Sequence, residues 1–344
     1  MPLLEQFPLL EHPSNSYRSA RGSINRQPSC KTQRGPPELS PIAQPKSPLV
    51  ATDWEYRERV LIWTYSFLTS AEINMDVIKR NHVRVMGDGP ATMVFSHGFG
   101  CDQSMWRYVA PKFEDRYRTV LFDLVGSGSS DLSCYDYDKY SSLHGYAADV
   151  LEILDATATG PVIFAGHSVS AMIGMLAALE QPDRFAGNIM VGPSPSFIND
   201  GDYTGGFTRA DIDSLLDTLE NNFLGWSSTM APSIMGAPDK PELGAELTNS
   251  FCRTDPDIAR HFARVTFLAD HRKELPFVST PTLIIQSDDD LLAPVSVGEY
   301  MHRSIRGSKL ALVENIGHCP HLSAPSASVD AMESFLRELE QLHA

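Results

Sequence analysis

The chain has few cysteines, and none of them are spaced as a metal-binding or redox pair. Its five cysteines are odd in number, lie far apart and form no Cys-x-x-Cys motif. Disulfide frameworks need cysteines in pairs, and structural zinc sites need ligands at short, regular spacing. The pattern argues against both, and it favours a reducing, cytoplasmic setting.

Excess positive charge and long apolar runs are also absent. The formal net charge is −15, whereas nucleic acids and anionic membranes are bound by basic surfaces. No stretch approaches the roughly 20 consecutive apolar residues of a membrane helix, and the first residues lack the pattern of a secretory signal peptide. With 42% apolar residues, the composition predicts a soluble globular protein without nucleic-acid or membrane partners.

Residues 1–74 differ in composition from the rest of the chain. Nine prolines occur within residues 1–50, and the few apolar side chains there follow no period. Such a segment buries too little surface to offset its ordering entropy, so we expect residues 1–74 to be disordered, with a targeting segment as the alternative. The apolar run at residues 60–68 fits a docking strand, a helix on the body, or sequence upstream of a start at Met75.

From residue 75 onward, short apolar segments alternate with helical patterns. Strand-like segments lie at residues 83–86, 92–96, 119–122, 162–165, 188–191, 282–286 and 310–313, and helical spacing occurs at residues 140–154, 169–179, 295–305 and 329–342. This alternation predicts an α/β fold in which a mostly parallel sheet is covered by helices on both faces. Strand signals stop between residues 193 and 278, which predicts an inserted all-helical lid.

One serine lies in a short turn between a predicted strand and a predicted helix. The turn reads Gly166-His167-Ser168-Val169-Ser170, the layout of a nucleophile elbow, which pushes the hydroxyl out above the sheet edge. We therefore predict that Ser168 is a catalytic nucleophile. Ser170 stands where the second glycine of the usual G-x-S-x-G motif is expected.

Candidates for the acid and the base follow two later strands. In this architecture the chain order is nucleophile, acid, histidine. We favour Asp290 as the acid because it lies just before the sequence restarts a helix at residues 293–294, with Asp288 as the alternative. Among eleven histidines, His318 follows a late strand through a glycine and is the predicted base, with His321 as its competitor.

The predicted oxyanion hole combines two backbone N–H groups, those of Phe99 and Val169. Phe99 lies in the glycine-containing loop after residues 92–96, and Val169 opens the helix after Ser168. An excess of large apolar residues in the lid predicts an apolar pocket above Ser168. The residues expected to bind substrate are Phe99, Phe207, Trp226, Phe267 and Cys319. The chemistry requires no cofactor, and no metal-ligand cluster is found in the sequence.

Several stretches together resemble a known family. They are H-G-F-G-C-D-Q-S at His97, L-F-D-L-V-G-S-G at Leu121, G-H-S-V-S-A-M-I-G at Gly166, V-G-P-S-P at Val191, Y-T-G-G-F at Tyr203, D-D-L-L-A-P at Asp289 and G-H-C-P-H at Gly317. From about residue 75 to its end, the chain resembles the RsbQ-type α/β-hydrolases, regulators of the bacterial sigma-B energy-stress pathway. It resembles the karrikin and strigolactone receptors of plants more distantly. Residues 1–74 have no counterpart in this resemblance.

The resemblance implies nucleophile, acid and base at Ser168, Asp290 and His318. It also implies a small apolar molecule that is bound under the lid and slowly hydrolysed, and a PAS-domain phosphatase of the RsbP type as partner. These considerations favour a serine hydrolase of small hydrophobic esters or lactones within a stress pathway. The alternatives are a ligand-binding receptor with incidental hydrolysis and a general carboxylesterase.

Overall fold

The computed structural model describes residues 76–343. The expectations for residues 1–74, including the apolar run at residues 60–68 and the start at Met75, lie outside this range. Within residues 76–343, no helix is long and apolar enough to cross a bilayer.

In the described part of the chain, seven strands form one sheet in the order β1-β3-β2-β4-β5-β6-β7. They are β1 (Arg84–Met86), β2 (Ala91–Ser96), β3 (Tyr117–Phe122), β4 (Val162–His167), β5 (Phe185–Val191), β6 (Thr282–Asp289) and β7 (Lys309–Ile316). Only β1 is antiparallel to its neighbour; the other adjacent strands run parallel. All six residues of β4 are buried, which explains its continuous apolar run, since central parallel strands are covered on both faces.

Helices cover the sheet on both sides and also form a separate insertion. They are α1 (Leu143–Thr157), α2 (Val169–Glu180), α3 (Arg209–Asn221), α4 (Phe223–Met235), α5 (Pro241–Arg253), α6 (Pro256–Phe267), α7 (Val295–Ser304), α8 (Pro320–Ser323) and α9 (Pro325–His343). Short 3-10 helices lie at Gln103–Trp106, Ala110–Lys112, Leu132–Cys134, Lys139–Ser141, Pro182–Arg184 and Leu275–Phe277.

The alternation of side chains along β2 divides the core into two layers. Val94 packs with buried residues of α1, α2 and α7 on one face. Met93 and Phe95 lie on the opposite face with Trp106, Phe113 and buried residues of α9. Successive strand residues point to opposite faces, so one short segment contributes to both layers. The predicted α/β architecture is confirmed.

Four helices, α3–α6, lie between β5 and β6. The side chain of Thr208 caps α3 in a capping box with Asp211, and Asp255 caps α6 ahead of Pro256. Helix α4 contains Pro232 within it, and α5 follows Lys240, whose side chain makes no capping hydrogen bond. Both helices nevertheless carry boundary signals: the Asn222 side chain caps the start of α4, Gly236 follows its end, and Pro241 is the first residue of α5.

Helix α2 packs tightly on β4 through Gly174. A Cβ atom at Gly174 would lie 2.3 Å from a ring carbon of Phe164. We expect Gly174→Ala to lower the free energy of unfolding by about 1–3 kcal/mol, because overpacking outweighs the gain in helix propensity of roughly 1 kcal/mol. Urea denaturation measures the change.

The matched control for this prediction is Gly160→Ala. An added Cβ there would meet nothing within 4 Å, so the change should stay within about 0.5 kcal/mol. A Gly174→Ala variant at least as stable as the wild type would contradict the tight helix-to-strand contact.

Candidate active site

Ser168 lies at a strained bend between β4 and α2. Its backbone has φ 55° and ψ −122°, a region that costs on the order of 1–3 kcal/mol for a residue with a side chain. The Ser168 N–H donates a hydrogen bond to the Val191 carbonyl at 2.8 Å. A Cβ atom at Gly166 would lie 2.4 Å from the Ser170 carbonyl oxygen, so only glycine allows the chain to turn this sharply there.

Ser170 joins the elbow to the loop after β2. Its hydroxyl donates to the His97 carbonyl at 2.5 Å and accepts from the Ser96 hydroxyl at 2.8 Å. All three residues are buried. A serine at the position of the usual glycine therefore has a structural use: it holds the first turn of α2 against the segment that leads to Phe99.

A continuous hydrogen-bonded chain joins Ser168, His318 and Asp290. His318 Nε2 lies 2.8 Å from Ser168 Oγ, and His318 Nδ1 lies 2.7 Å from Asp290 Oδ2. With a neutral imidazole, the Nδ1–H donates to the carboxylate and Nε2 accepts from the serine O–H. The three residues are only 8%, 2% and 8% exposed, in that order, so little water competes for these bonds.

Backbone groups hold the Asp290 carboxylate in place. Its Oδ1 accepts from the N–H groups of Leu292 at 2.8 Å and Ala293 at 3.1 Å. Its Oδ2, which faces His318, lies 3.4 Å from the side-chain amide of Gln286. These donors fix the orientation of the carboxylate toward His318.

The two alternatives from the sequence occupy other places. Asp288 accepts from the Asn315 N–H at 2.8 Å and thereby bridges β6 and β7. His321 is fully buried between the rings of Trp106 and His167, at centroid distances of 4.7 and 4.4 Å. Of the candidates, the structure brings Asp290 and His318 to Ser168.

Phe99 and Val169, the two predicted oxyanion residues, belong to two segments that meet at Ser168: a Cβ atom at Gly98, the residue before Phe99, would lie 3.3 Å from the Ser168 Cβ. Val169 is the first residue of α2, so its N–H has no partner within the helix. Within residues 76–343, neither amide donates to another protein group. The His97 ring braces the Phe99 loop, because its Nδ1–H donates to the Gly98 carbonyl at 2.8 Å and its Nε2 accepts from the Leu124 N–H at 3.0 Å. Such free, fixed donors suit an oxyanion.

A small cavity lies beside Ser168. Its floor is formed by Phe99, Cys101, His167, Ser168, Leu292, His318 and Cys319, and its roof by Phe197, Ile234, Leu247, Phe251, Thr266 and Phe267. The cavity volume is about 20 Å³, which is space for about one water molecule. A substrate larger than water therefore requires roof side chains to move.

Three of the five residues expected to bind substrate line this cavity: Phe99, Phe267 and Cys319. Burial raises the pKa of the Cys319 thiol well above its usual value, so it forms a neutral wall. Phe207 does not line the cavity, because its backbone pairs with Phe197 and Asn199. Trp226 lies behind the wall, stacked on Phe251 at 5.4 Å.

The five residues expected to bind substrate omit several roof residues, although Ile234 and Phe251 belong to the large apolar lid residues from which the pocket was predicted. Phe251 lies on α5, whose bounds the sequence left undefined, and its ring lies 5.9 Å from that of Phe99. Phe197 follows β5, so the rule that ligands collect at the carboxyl ends of parallel strands could have identified it.

The helical insertion is bonded directly to the loops that carry His318 and Phe99. The His318 N–H donates to the Ile234 carbonyl of α4 at 2.8 Å, and the Ala237 N–H donates to the Ile316 carbonyl at 3.0 Å. From α5, the Ser250 hydroxyl donates to the Gly100 carbonyl at 2.8 Å. A movement of α4 or α5 would therefore displace the candidate base or the candidate oxyanion loop.

Comparison with known proteins identifies the family of this chain. Residues 93–331 match the alpha/beta hydrolase family, and the chain belongs to that family. It is 39% identical over 260 residues to karrikin insensitive 2 receptor CA of Petunia hybrida, with 75% of this chain and 96% of the receptor covered. It is also 39% identical over 259 residues to a strigolactone esterase of Pisum sativum, with 75% and 97% covered.

A solved structure extends the likeness to three dimensions. A hydrolase from Oleispira antarctica superposes with a TM-score of 0.75 at 43% identity, covering 77% of this chain and 97% of the other. The relatives thus carry both esterase and receptor names, and each alignment covers almost the full length of the relative.

The buried histidines beside the site make stability depend on pH. Burial, followed by the charges of His318 and Arg107, lowers the pKa of His321 to about 3, whereas an unfolded histidine titrates near 6.5. The unfolded chain therefore binds more protons than the folded one between these values, so stability falls as the pH drops below about 6.5. We expect His321→Leu to reduce the loss of unfolding free energy between pH 7 and 5 by about 2 kcal/mol.

Urea denaturation at the two pH values tests this prediction. The control is His82→Asn. His82 is exposed and has a positive φ of 46°, a backbone conformation that asparagine tolerates. It should retain the pH dependence of the wild type, and an equal pH dependence in His321→Leu would refute the assignment.

Proposed function

We propose that the protein is a serine hydrolase that acts on a small, hydrophobic ester or lactone-like molecule. The observation that carries the proposal is the bonded chain from Ser168 Oγ through His318 to Asp290, with distances of 2.8 and 2.7 Å. Membership in the alpha/beta hydrolase family and the esterase name of a close relative support it.

In the proposed mechanism, Ser168 Oγ attacks the substrate carbonyl while His318 Nε2 accepts its proton. Asp290 stabilises the resulting imidazolium, and the N–H groups of Phe99 and Val169 stabilise the oxyanion. His318 then returns the proton to the leaving alcohol. Water, deprotonated by His318, releases the acyl group from Ser168. No cofactor takes part in these steps.

The cavity supports a compact, largely apolar substrate. Phenylalanine, leucine and isoleucine side chains make up most of its roof, so burial of apolar surface supplies the binding energy. The cavity volume of about 20 Å³ means that entry is coupled to movement of the roof, which favours slow turnover.

Active-site labelling tests the catalytic assignment. We expect a fluorophosphonate probe to modify Ser168, detected by peptide mass mapping, and to leave His318→Ala unlabelled. Ser168→Ala should lower p-nitrophenyl acetate hydrolysis by at least ~10³-fold, because nucleophilic attack is lost.

Ser228→Ala is the matched control, since its exposed hydroxyl bonds only to the Leu224 carbonyl one turn earlier. It should keep full activity. Labelling of another serine, or undiminished hydrolysis in Ser168→Ala, would overturn the proposal.

A second candidate function is that of a ligand-gated signalling module whose lid helices change position when ligand binds. Hydrolysis is then incidental, or it resets the lid to its earlier position. The bonds from α4 and α5 to the loops of His318 and Phe99 favour it, because a change at the bound ligand would reach these helices through the same hydrogen bonds. The receptor name of the Petunia relative also supports it.

The RsbQ-type role in a sigma-B pathway, the PAS-domain phosphatase partner and the cytoplasmic location remain predictions. Reconstitution with a PAS-domain phosphatase from the same organism separates the two functions. If stimulation of the phosphatase depends on hydrolysis, the wild-type protein should raise phosphatase activity and Ser168→Ala should not. Equal stimulation by both would support the signalling module, and stimulation by neither would refute the RsbQ-type role.

A further inference from the structure

One roof residue differs in chemistry from its neighbours. Thr266, near the end of α6, lines the cavity among Phe197, Phe251 and Phe267. Its side chain is only 4% exposed. Its hydroxyl makes no hydrogen bond with any group in residues 76–343. A buried hydroxyl without a partner costs free energy in the folded protein, so its presence in an otherwise apolar roof requires an explanation.

Other threonines in the same insertion use the usual local bond. Thr218 donates to the Ser214 carbonyl at 2.8 Å, and Thr248 donates to the Gly244 carbonyl at 2.9 Å, each four residues earlier in its helix. Thr266 lies at an equivalent helical position and makes no such bond to Phe262. The hydroxyl of this cavity-lining residue thus lacks the bond that the other two threonines make.

We infer that the Thr266 hydroxyl recognises a second oxygen function on the substrate, away from the carbonyl that Ser168 attacks. This inference rests on the proposed hydrolase function and specifies its substrate class: compact esters or lactones that carry an additional ether, carbonyl or hydroxyl oxygen. Ser168 belongs to the floor of the cavity and Thr266 to its roof, so one small molecule between them meets both groups.

Selectivity follows from the burial of the hydroxyl. An apolar substrate that fills the cavity leaves the Thr266 hydroxyl unpartnered, whereas an oxygen-bearing one satisfies it. Sites built around a hydrogen bond discriminate strongly against analogues that lack the partner atom, while apolar walls discriminate weakly.

The test compares substrates that differ by one oxygen in place of one methylene. Two pairs of p-nitrophenyl esters are used: methoxyacetate against butyrate, and 3-methoxypropionate against valerate. The measured quantity is the ratio of kcat/KM for the oxygenated ester to that for its alkyl counterpart. Comparing this ratio between variants cancels the different intrinsic reactivities of the esters.

Thr266→Val keeps the shape of the side chain and removes the hydroxyl. We expect it to lower the ratio by about tenfold or more for at least one pair. Thr266→Ser restores the hydroxyl and should keep the ratio within about threefold of wild type. If Thr266→Val does not fold, Thr266→Ala is compared with Thr266→Ser in the same way.

Thr248→Val is the control, because its hydroxyl bonds to Gly244 and it does not line the cavity; its ratio should match wild type. Unchanged ratios in Thr266→Val for both pairs, with hydrolysis still dependent on Ser168, would overturn the inference and leave the proposed function intact. Hydrolysis that is equal in wild type and Ser168→Ala would instead overturn the proposed function.

Discussion

The site depends on the strained backbone at Ser168. A positive φ of 55° at this residue is held by the Val191 carbonyl on one side and by the close approach of Gly166 and Ser170 on the other. The same bend presents the Ser168 hydroxyl to His318 and starts α2, so that the Val169 N–H lies beside it without a helical partner. A relaxed backbone here would separate the candidate nucleophile from its base and from one oxyanion donor.

The helical insertion does more than cover the sheet. Its main-chain atoms bond to the segment at residues 316–318, and its Ser250 hydroxyl bonds to Gly100. Gly317 is required at the first contact, because a Cβ atom there would lie 1.9 Å from the Met235 carbonyl oxygen. The roof and the candidate catalytic residues therefore form one bonded unit.

Much of the fold could be predicted from local pattern. The strand segments were recognisable because buried parallel strands form continuous apolar runs, and the turn at Ser168 because small residues permit it. The roof was harder to predict. Phe207 and Trp226 have the same large apolar character as Phe267, yet only Phe267 lines the cavity. Periodicity identifies a buried side chain without distinguishing a cavity wall from packing between helices.

The sequence by itself determined the order of strands and helices, the bend at residue 168 and the residue types that follow the strand ends, since these depend on interactions within a few residues. Only the tertiary structure decided which carboxylate meets His318, because Asp288 and Asp290 differ by two positions and face different partners. It also decided that the Thr266 hydroxyl, beside the cavity, has no hydrogen-bond partner among residues 76–343. Such outcomes depend on how distant segments pack, and no local pattern encodes the direction of one side chain within that packing.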